Sequence, residues 1–403
     1  MDVEALRQSW RQVEVAGAEA AKYFYATLFV IAPETRAMFP TNMQYQEDKL
    51  LAALGYIISR LDDGGELTTF ARRLGADHRR FHGEDRDGKT VLLSDRHYAW
   101  VGQALLRTLE RFLGTQWTPE LHREWAAAYD AVTNLMLAGA REAKERYPPY
   151  WTAVVQEIRL RRADICVFTV RPDYFCNYLP GQSIPIQVPE LRTWRYLSPA
   201  NAPRSDGSIE FHVRATGRFS TYLVRRLRLG DRLLLGLSVG KSLASYDRAP
   251  HRPLVLIAGG TGLAPLRAIA QAVQQGVGRS TSLIFGARTP DDLYDDEELS
   301  KLAMLQPAIR QGHRDPSDWL RYIPTVEAGW GWTGETGTAV DVALRLASLP
   351  EAEILISGPP AMTTAAVAQL TRAGVQPEQI LYESFDHAVY PPLAAPPTDR
   401  THQ

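Results

Sequence analysis

Hydrophobic positions follow a helical spacing in the first third of the chain. From residue 3 to about residue 146 they recur at steps of three and four, as one buried helix face requires. The clearest stripe is Trp10, Val13, Ala21, Phe24 and Leu28. Gly17 lies in this stripe, where glycine costs helix stability unless a neighbouring element packs closely against it. Thr118-Pro119-Glu120 offers a capping hydroxyl, a first-turn proline and an acid, and so predicts the start of the last helix. We expect that helix to end at Tyr147-Pro148-Pro149.

The spacing then changes to short β-branched runs separated by proline and glycine. Up to about residue 249 the runs are Ile165 to Val170, Ser183 to Val188 and Ile209 to Val213, which predict a small antiparallel barrel. Later runs alternate with helical stretches: Leu254 to Ala258, Ser282 to Gly286 and Glu353 to Ser357. Alternating strands and helices indicate a doubly wound parallel sheet.

We therefore predict a multidomain chain with three folded parts. Residues 1–148 form an all-α domain, residues 149–250 an antiparallel β-barrel, and residues 251–390 an α/β doubly wound domain. Residues 391–403 form a flexible tail. A length of 403 residues supports this division, because single hydrophobic cores rarely grow so large.

Composition and charge narrow the classes of function. The net charge of −1 gives no electrostatic basis for binding nucleic acid or acidic membranes, so small molecules are the expected partners. The N-terminus lacks the pattern of an export signal, and no apolar run approaches about 18 residues. We expect a cytoplasmic monomer. Cys166 and Cys176 are interpreted as packing residues rather than a disulfide.

Two turns rich in small residues carry the nucleotide chemistry. Gly259, Gly260, Thr261 and Gly262 follow a buried strand and precede a helix, which lets the backbone approach a pyrophosphate at a helix N-terminus. One such cluster alone could equally be a tight turn without a ligand. A second turn, Ser357-Gly358-Pro359, follows another strand, and the pair favours a nucleotide site.

These turns and Tyr382 to Phe385 resemble the ferredoxin reductase family over residues 151–388. The resemblance implies that the glycine turn binds NADH or NADPH, that the Ser357 turn lies near the nicotinamide, and that Phe385 packs on FAD. Most relatives carry cysteine at the position of Ser357, which affects the expected control of hydride transfer.

The flavin-binding motifs are matched incompletely. The family's Arg-x-Tyr-Ser corresponds to Arg195 and Ser198, but Leu197 stands at the ring-stacking tyrosine and Tyr196 comes one residue early. Tyr196 could serve only if the strand slips or bulges, because successive strand residues face opposite ways. Gly217 and Ser220 match the family's pyrophosphate-binding turn. The plain alternative is that Arg195 and Ser220 are ordinary polar residues on a barrel surface.

The helical part resembles the globin domain of bacterial flavohaemoglobins. The matching segments, in order, are Ala21 to Tyr25, Phe39, Leu74 to His78 and Tyr98 to Gly102. The resemblance implies that His78 ligates the iron of haem b, that Phe39 wedges the haem, and that Tyr25 and Gln46 form hydrogen bonds to bound oxygen. A helix histidine could otherwise be merely a partly buried polar residue, or His78 and His82 could bind zinc, although no third ligand is evident.

The proximal side departs from the family. Tyr98 fits the tyrosine that, with a glutamate, makes the proximal histidine more electron-donating. The glutamate position falls on Ala140, and Glu142, about 200° further around the helix, should face away. A charged stretch at residues 84–93 is expected to be a solvated loop.

The resemblance as a whole implies electron transfer from NAD(P)H through FAD to haem, with nitric oxide dioxygenation to nitrate as the reaction. One alternative is a reductase of quinones, ferric chelates or oxygen, which Leu197 and Ala140 favour. Another is a gas-binding sensor or store kept ferrous by its reductase. Asp291 and Asp292 would repel a 2′-phosphate while Arg288 would attract it, and we expect NADH as the donor.

Overall fold

We describe the protein from a computed structural model. It describes residues 1–40, 43–84, 90–240, 242–276, 279–305, 319–346 and 349–384. The chain divides into two compact units, residues 1–150 with 189–193, and residues 151–188 with 194–384. The predicted positions of Phe385 and of the tail at 391–403 lie outside the described residues.

The first unit is helical. Its helices are α1 (Val3–Ile31), α2 (Gln44–Ser59), α3 (Gly64–His78), α4 (Asp95–Leu113) and α5 (Pro119–Arg146), with a 3₁₀ turn at Pro33–Met38. The predicted start of α5 is present, since the Thr118 hydroxyl accepts from the Leu121 amide at 3.2 Å. The helix also ends where the prolines predict.

Gly17 has a different role from the one predicted. Its φ of +42° and ψ of −111° place a kink inside α1, and apart from the adjoining backbone of α1 nothing lies within 4 Å of an added Cβ. Close packing therefore does not explain this glycine. It is explained by a backbone conformation that residues other than glycine rarely adopt.

Close packing instead occurs where α3 crosses α5. A Cβ on Gly75 would lie 1.8 Å from the Met136 carbonyl oxygen, and one on Gly139 would lie 1.8 Å from that of Arg72. Only glycine permits two backbones to approach so closely. The crossing fixes the C-terminal end of α3, which carries His78.

The stretch expected to be a loop contains residues of two short strands. Two short antiparallel strands, β1 (His82–Glu84) and β2 (Thr90–Leu92), pair across it, while residues 85–89 lie outside the described part. The prediction of a plain loop was therefore wrong at both ends of the insertion.

The second unit begins with a six-stranded antiparallel sheet. Its strands are β3 (Trp151–Arg162), β4 (Ile165–Pro172), β5 (Ile184–Val188), β6 (Thr193–Leu197), β7 (Ile209–Arg214) and β8 (Arg232–Leu235), in the order β6-β5-β8-β3-β4-β7. An antiparallel bridge between Pro199 and Phe211 links the ends of this order, so the sheet curls into a barrel. Helix α6 (Arg218–Arg225) follows β7. Cys166 and Cys176 are both buried and free, as predicted.

The rest of the unit is a parallel sheet with helices. Its strands are β9 (Leu254–Gly259), β10 (Thr281–Ala287), β11 (Leu320–Val326), β12 (Glu335–Thr336), β13 (Glu353–Gly358) and β14 (Ile380–Ser384), and its helices are α7 (Leu263–Gln275), α8 (Asp296–Met304), α9 (Ala339–Leu346) and α10 (Pro360–Arg372). The order β12-β11-β10-β9-β13-β14 reverses direction between β9 and β13. Such a switch point is where parallel sheets bind ligands, beyond the carboxyl ends of the strands.

The predicted fold class is thus confirmed in all three parts. Among the helices of the described residues, none has the length and apolar character needed to cross a membrane.

Candidate functional site

A cavity of about 250 Å³ lies within the helical unit. The five residues that the sequence assigns to haem and oxygen binding all line it: Tyr25, Phe39, Gln46, His78 and Tyr98. The remaining lining is mostly apolar and comes from all five helices, including Leu28, Leu54, Leu74, Val101, Leu105, Val132 and Met136. The fold therefore brings Tyr25 and Tyr98, which are 73 positions apart in sequence, to the same apolar cavity.

His78 is prepared to act as a metal ligand. Its Nδ1 lies 2.8 Å from the Leu74 carbonyl oxygen, one turn back on α3. A carbonyl can only accept, so Nδ1 carries the proton and Nε2 keeps its lone pair. Burial lowers the pKa of His78 to about 4, and the charge of Lys49 acts in the same direction against the Leu74 hydrogen bond. The imidazole is neutral at physiological pH, as a ligand must be.

The zinc alternative does not fit the geometry. His82 lies on β1 rather than on α3, and its Nδ1 is 3.0 Å from the Arg80 carbonyl oxygen. Across the described ranges, no three His, Cys, Asp or Glu side chains are placed to hold a metal ion.

Tyr25 occupies an aromatic corner of the cavity. Its ring packs edge-on against Phe24 and Phe39, with centroids 5.1 and 5.3 Å away. Its hydroxyl donates to the backbone carbonyl of Gln46 at 3.2 Å. Burial, and then the charge of Glu47, raise the pKa of Tyr25 well above its usual value, so the phenol stays protonated. The Tyr25 hydroxyl must therefore break its hydrogen bond to the Gln46 carbonyl before it can donate one to a ligand in the cavity.

Among the described residues that line the cavity there is no aspartate or glutamate. Glu142 is exposed and its Oε2 accepts from Arg72 Nη2 at 2.8 Å. Within the described structure, the Tyr98 hydroxyl makes no hydrogen bond to His78, whose Nδ1 has only the neutral Leu74 carbonyl. A neutral acceptor makes the imidazole less electron-donating than a carboxylate would.

The cavity contains a second histidine that the sequence did not single out. His97 on α4 is 1% exposed, and its Nδ1 accepts from the Ser94 backbone amide at 3.0 Å. The proton therefore resides on Nε2, which finds no hydrogen-bond partner among the described residues. A buried donor without an acceptor is costly. A ligand that brings oxygen acceptors, such as the carboxylates of haem, would remove this cost, and so the cavity fits haem.

The flavin segments lie on the barrel. Ser198 follows β6 and its Oγ is 3.0 Å from Ser183 Oγ. Gly217 caps α6, and the Ser220 hydroxyl accepts from the Gly217 amide at 3.0 Å. An added Cβ on Gly217 would meet nothing within 4 Å, so this turn is open to a ligand, as an FAD site requires.

Tyr196 and Leu197 are consecutive residues of β6, so their side chains face opposite ways. Both are half-buried. Which of them meets the flavin ring, and whether Arg195 meets a phosphate, stay predictions.

The two small-residue turns meet at the switch point of the parallel sheet. Gly259 ends β9 and Gly358 ends β13, which pair in parallel. A Cβ on Gly262 would lie 2.5 Å from the Gly358 nitrogen, so the turns are in contact. Gly260 has φ +52°, a conformation that favours glycine. The convergence predicted from sequence is therefore present, next to the N-termini of α7 and α10, and suits a nucleotide.

Comparisons with known proteins agree with this arrangement. Three family models match in succession: globin at residues 22–136, oxidoreductase FAD-binding domain at residues 155–242 and oxidoreductase NAD-binding domain at residues 256–368. The ferredoxin–NAD(P)(+) reductase CarAd of Metapseudomonas resinovorans is 33% identical over 243 residues, covering 58% of this chain and 68% of CarAd.

Two further matches span nearly the whole chain. A flavohemoprotein of Deinococcus radiodurans is 27% identical over 405 residues, covering 93% of each chain. The fold matches the flavohemoglobin structure of Malassezia yamatoensis, which contains FAD and heme, with a TM-score of 0.72 at 16% identity, covering 95% and 98% of the two chains. The protein therefore belongs to the flavohaemoproteins, NAD(P)H-dependent oxidoreductases in which a globin is fused to a reductase module with FAD- and NAD-binding domains.

Proposed function

We propose that this flavohaemoprotein is a nitric oxide dioxygenase, which converts nitric oxide and dioxygen to nitrate with electrons from NAD(P)H. The observation that carries the proposal is that Tyr25, Gln46 and His78 line one apolar cavity. When bound, haem supplies the iron centre for this redox reaction, and FAD splits the hydride of NAD(P)H into single electrons.

The chain's own residues divide the remaining tasks. His78 would hold the iron of haem through Nε2, and Phe39 would pack against the haem. The Tyr25 hydroxyl and the Gln46 side-chain amide would donate hydrogen bonds to dioxygen held in the cavity. The apolar lining excludes water, which strengthens these bonds. Tyr98 lines the same cavity and would lie on the His78 side of the haem.

The reductase residues hold the other two cofactors in this proposal. Arg195, Tyr196, Ser198, Gly217 and Ser220 bind FAD. Gly259, Gly260, Thr261 and Gly262 bind the nucleotide pyrophosphate, and Ser357, Gly358 and Pro359 lie beside the nicotinamide.

NADH is the proposed donor. Arg288 is exposed, while Asp292 accepts from the Thr289 hydroxyl at 2.9 Å and pairs with Arg162 at 3.2 Å. Asp291 is exposed beside it and would repel a 2′-phosphate. Oxidation rates measured over a range of NADH and NADPH concentrations compare the two donors directly, and a higher kcat/KM for NADPH would reverse the assignment.

The reaction is tested by adding nitric oxide to the aerobic, NADH-supplied protein and following nitric oxide with an electrode. We expect NADH-dependent consumption of nitric oxide with nitrate as the product. Reduction of haem without such consumption would overturn the proposal.

A reductase of other acceptors is the second candidate. The neutral Leu74 carbonyl as partner of His78 favours it, because weak electron donation disfavours oxygen chemistry at the iron. Faster NADH oxidation with quinone or ferric chelate than with nitric oxide would support this candidate.

A further inference from the structure

Helix α7 touches both cofactor segments of the reductase. It begins at Leu263, directly after the glycine turn of residues 259–262. Arg267 and Gln271 lie one turn apart on it and so share a face. Both side chains reach the segment Ala200–Ala202, which comes two residues after Ser198 of the flavin motif.

The contacts hold both ends of that segment. Arg267 Nη1 donates to the Ala200 carbonyl oxygen at 2.8 Å. The Ala202 amide donates to Gln271 Oε1 at 3.0 Å. Between these residues, the Asn201 side chain is fully buried and its Oδ1 accepts from the Glu210 amide at 2.7 Å. The flavin segment is thereby tied to the helix that carries the nucleotide turn.

Arg267 itself forms ion pairs with two buried carboxylates. It is 6% exposed, and its Nη1 lies 2.6 Å from Glu210 Oε1 while its Nε lies 3.1 Å from Asp295 Oδ2. Glu210 also pairs with Arg159 at 2.8 Å. Buried ion pairs often add little net stability compared with apolar residues, but in some proteins they favour one arrangement of the structure over others.

Hydride transfer depends on such an arrangement. The donor and acceptor atoms must approach to about 3–3.5 Å, and a displacement of about 1 Å can cost roughly 100-fold in rate. A link between the flavin segment and the nucleotide turn is therefore placed to affect the rate without touching either cofactor.

We propose that Arg267, together with Gln271, is a positioning residue that sets the flavin against the nicotinamide for hydride transfer. It acts through Ala200 and Ala202. The inference rests on NAD(P)H-to-FAD electron transfer and not on nitric oxide chemistry, so it survives if the globin acts on another acceptor.

Two variants test the link with different effects on folding. Arg267→Lys keeps the charge between Glu210 and Asp295 but loses the planar fork that also reaches Ala200. Gln271→Leu removes only the acceptor for the Ala202 amide and lies on a half-buried position. Arg279→Lys is the matched control. Arg279 is a half-buried arginine that pairs with Glu353 at 3.1 Å, and its hydrogen bonds go to Arg252, Tyr246 and Glu353 rather than to the flavin segment.

The holoprotein is mixed with NADH without oxygen, and flavin reduction is followed by stopped-flow absorbance. We expect the limiting rate to fall about 10- to 100-fold in the two α7 variants, with FAD content and NADH affinity within about threefold of wild type. The long-wavelength charge-transfer absorbance between added NAD⁺ and chemically reduced flavin should weaken in both. The control should match wild type in rate and absorbance.

Two results would overturn the proposal. One is flavin reduction at the wild-type rate in both variants. The other is a slower rate that only parallels FAD loss or a lower Tm and occurs equally in Arg279→Lys, because a merely structural role would produce that pattern.

Discussion

The two histidines of the globin cavity hold their protons on different nitrogens. His78 donates from Nδ1 to the Leu74 carbonyl, whereas His97 accepts at Nδ1 from the Ser94 amide. One ring therefore offers a lone pair at Nε2 and the other offers an N–H. Residue identity alone could not distinguish these roles, because the neighbouring backbone decides each tautomer.

A haem-retention experiment tests the second histidine. His97→Phe removes the buried donor, so we expect faster loss of haem to an excess of apomyoglobin, by roughly 10-fold for one hydrogen bond to a charged group. His122→Phe is the control, since His122 is exposed on α5, outside the cavity. Equal haem loss in wild type and His97→Phe would show that Nε2 has no partner on the haem.

The distal donor is tested by oxygen dissociation. Tyr25→Phe removes a hydroxyl whose hydrogen bond to a partly charged ligand is worth about 1.5–3 kcal/mol. Dioxygen should then leave roughly 10- to 100-fold faster in a flash-photolysis measurement. An unchanged dissociation rate would mean that the hydroxyl stays on the Gln46 carbonyl, where the structure has it.

At the scale of elements, close crossings and buried charges position the sites. Gly75 and Gly139 allow α3 to touch α5, and a glycine within a helical pattern does not by itself predict such a crossing. The chain also offered no direct sign that Arg267 would lie between Glu210 and Asp295, because these carboxylates come from distant segments. Spacing predicts faces of elements, whereas such contacts follow from packing.

The helix crossing is tested by Gly139→Ala. Its new Cβ would lie 1.8 Å from the Arg72 carbonyl oxygen, so the helices must separate. Overpacking of this kind costs about 1–3 kcal/mol, which should lower the free energy of unfolding of the globin unit in urea. Gly64→Ala, whose Cβ would meet nothing within 4 Å, is the control. Similar stability of the two variants would contradict the close crossing.

The buried carboxylate Glu210 predicts a pH dependence. Burial alone would raise the pKa of Glu210, but the hydrogen bond to His212 and the charges of Arg267 and Arg159 prevail and hold it far below the usual 4.5. Arg204, 3.6 Å from Glu210 Oε2, adds a further positive charge. A depressed folded-state pKa contributes stability above the unfolded-state value and loses it as the pH falls toward the folded-state value.

The measurement compares wild type with Glu210→Gln. At pH 7 the variant should be less stable by about 3–5 kcal/mol, because buried arginines lose their partner. The difference in free energy of unfolding should be constant above pH 5 and narrow below about 4.5, where the unfolded carboxylate takes up a proton. A difference that does not change with pH would contradict the depressed pKa.

At the scale of the whole molecule, the three-part architecture could be predicted because each part has its own hydrophobic period. The converging nucleotide turns also followed from sequence, since strand ends of a parallel sheet share one edge. The kink at Gly17, the ordered strands β1 and β2, and the donor on His97 could not, because each depends on local backbone geometry. The domain boundaries at residues 148 and 250 stay predictions.

In the proposed reaction, NADH drives nitric oxide dioxygenation through FAD and haem. Because each NADH supplies two electrons and each nitrate formed requires one, the reaction balances as two nitric oxide and two dioxygen molecules consumed per NADH. The most direct test measures nitric oxide, NADH and nitrate together in one aerobic reaction of the holoprotein. The amount of nitrate formed should equal the nitric oxide consumed and be twice the NADH oxidised. If adding nitric oxide does not change the rate of NADH oxidation and no nitrate is formed, the proposed reaction is contradicted.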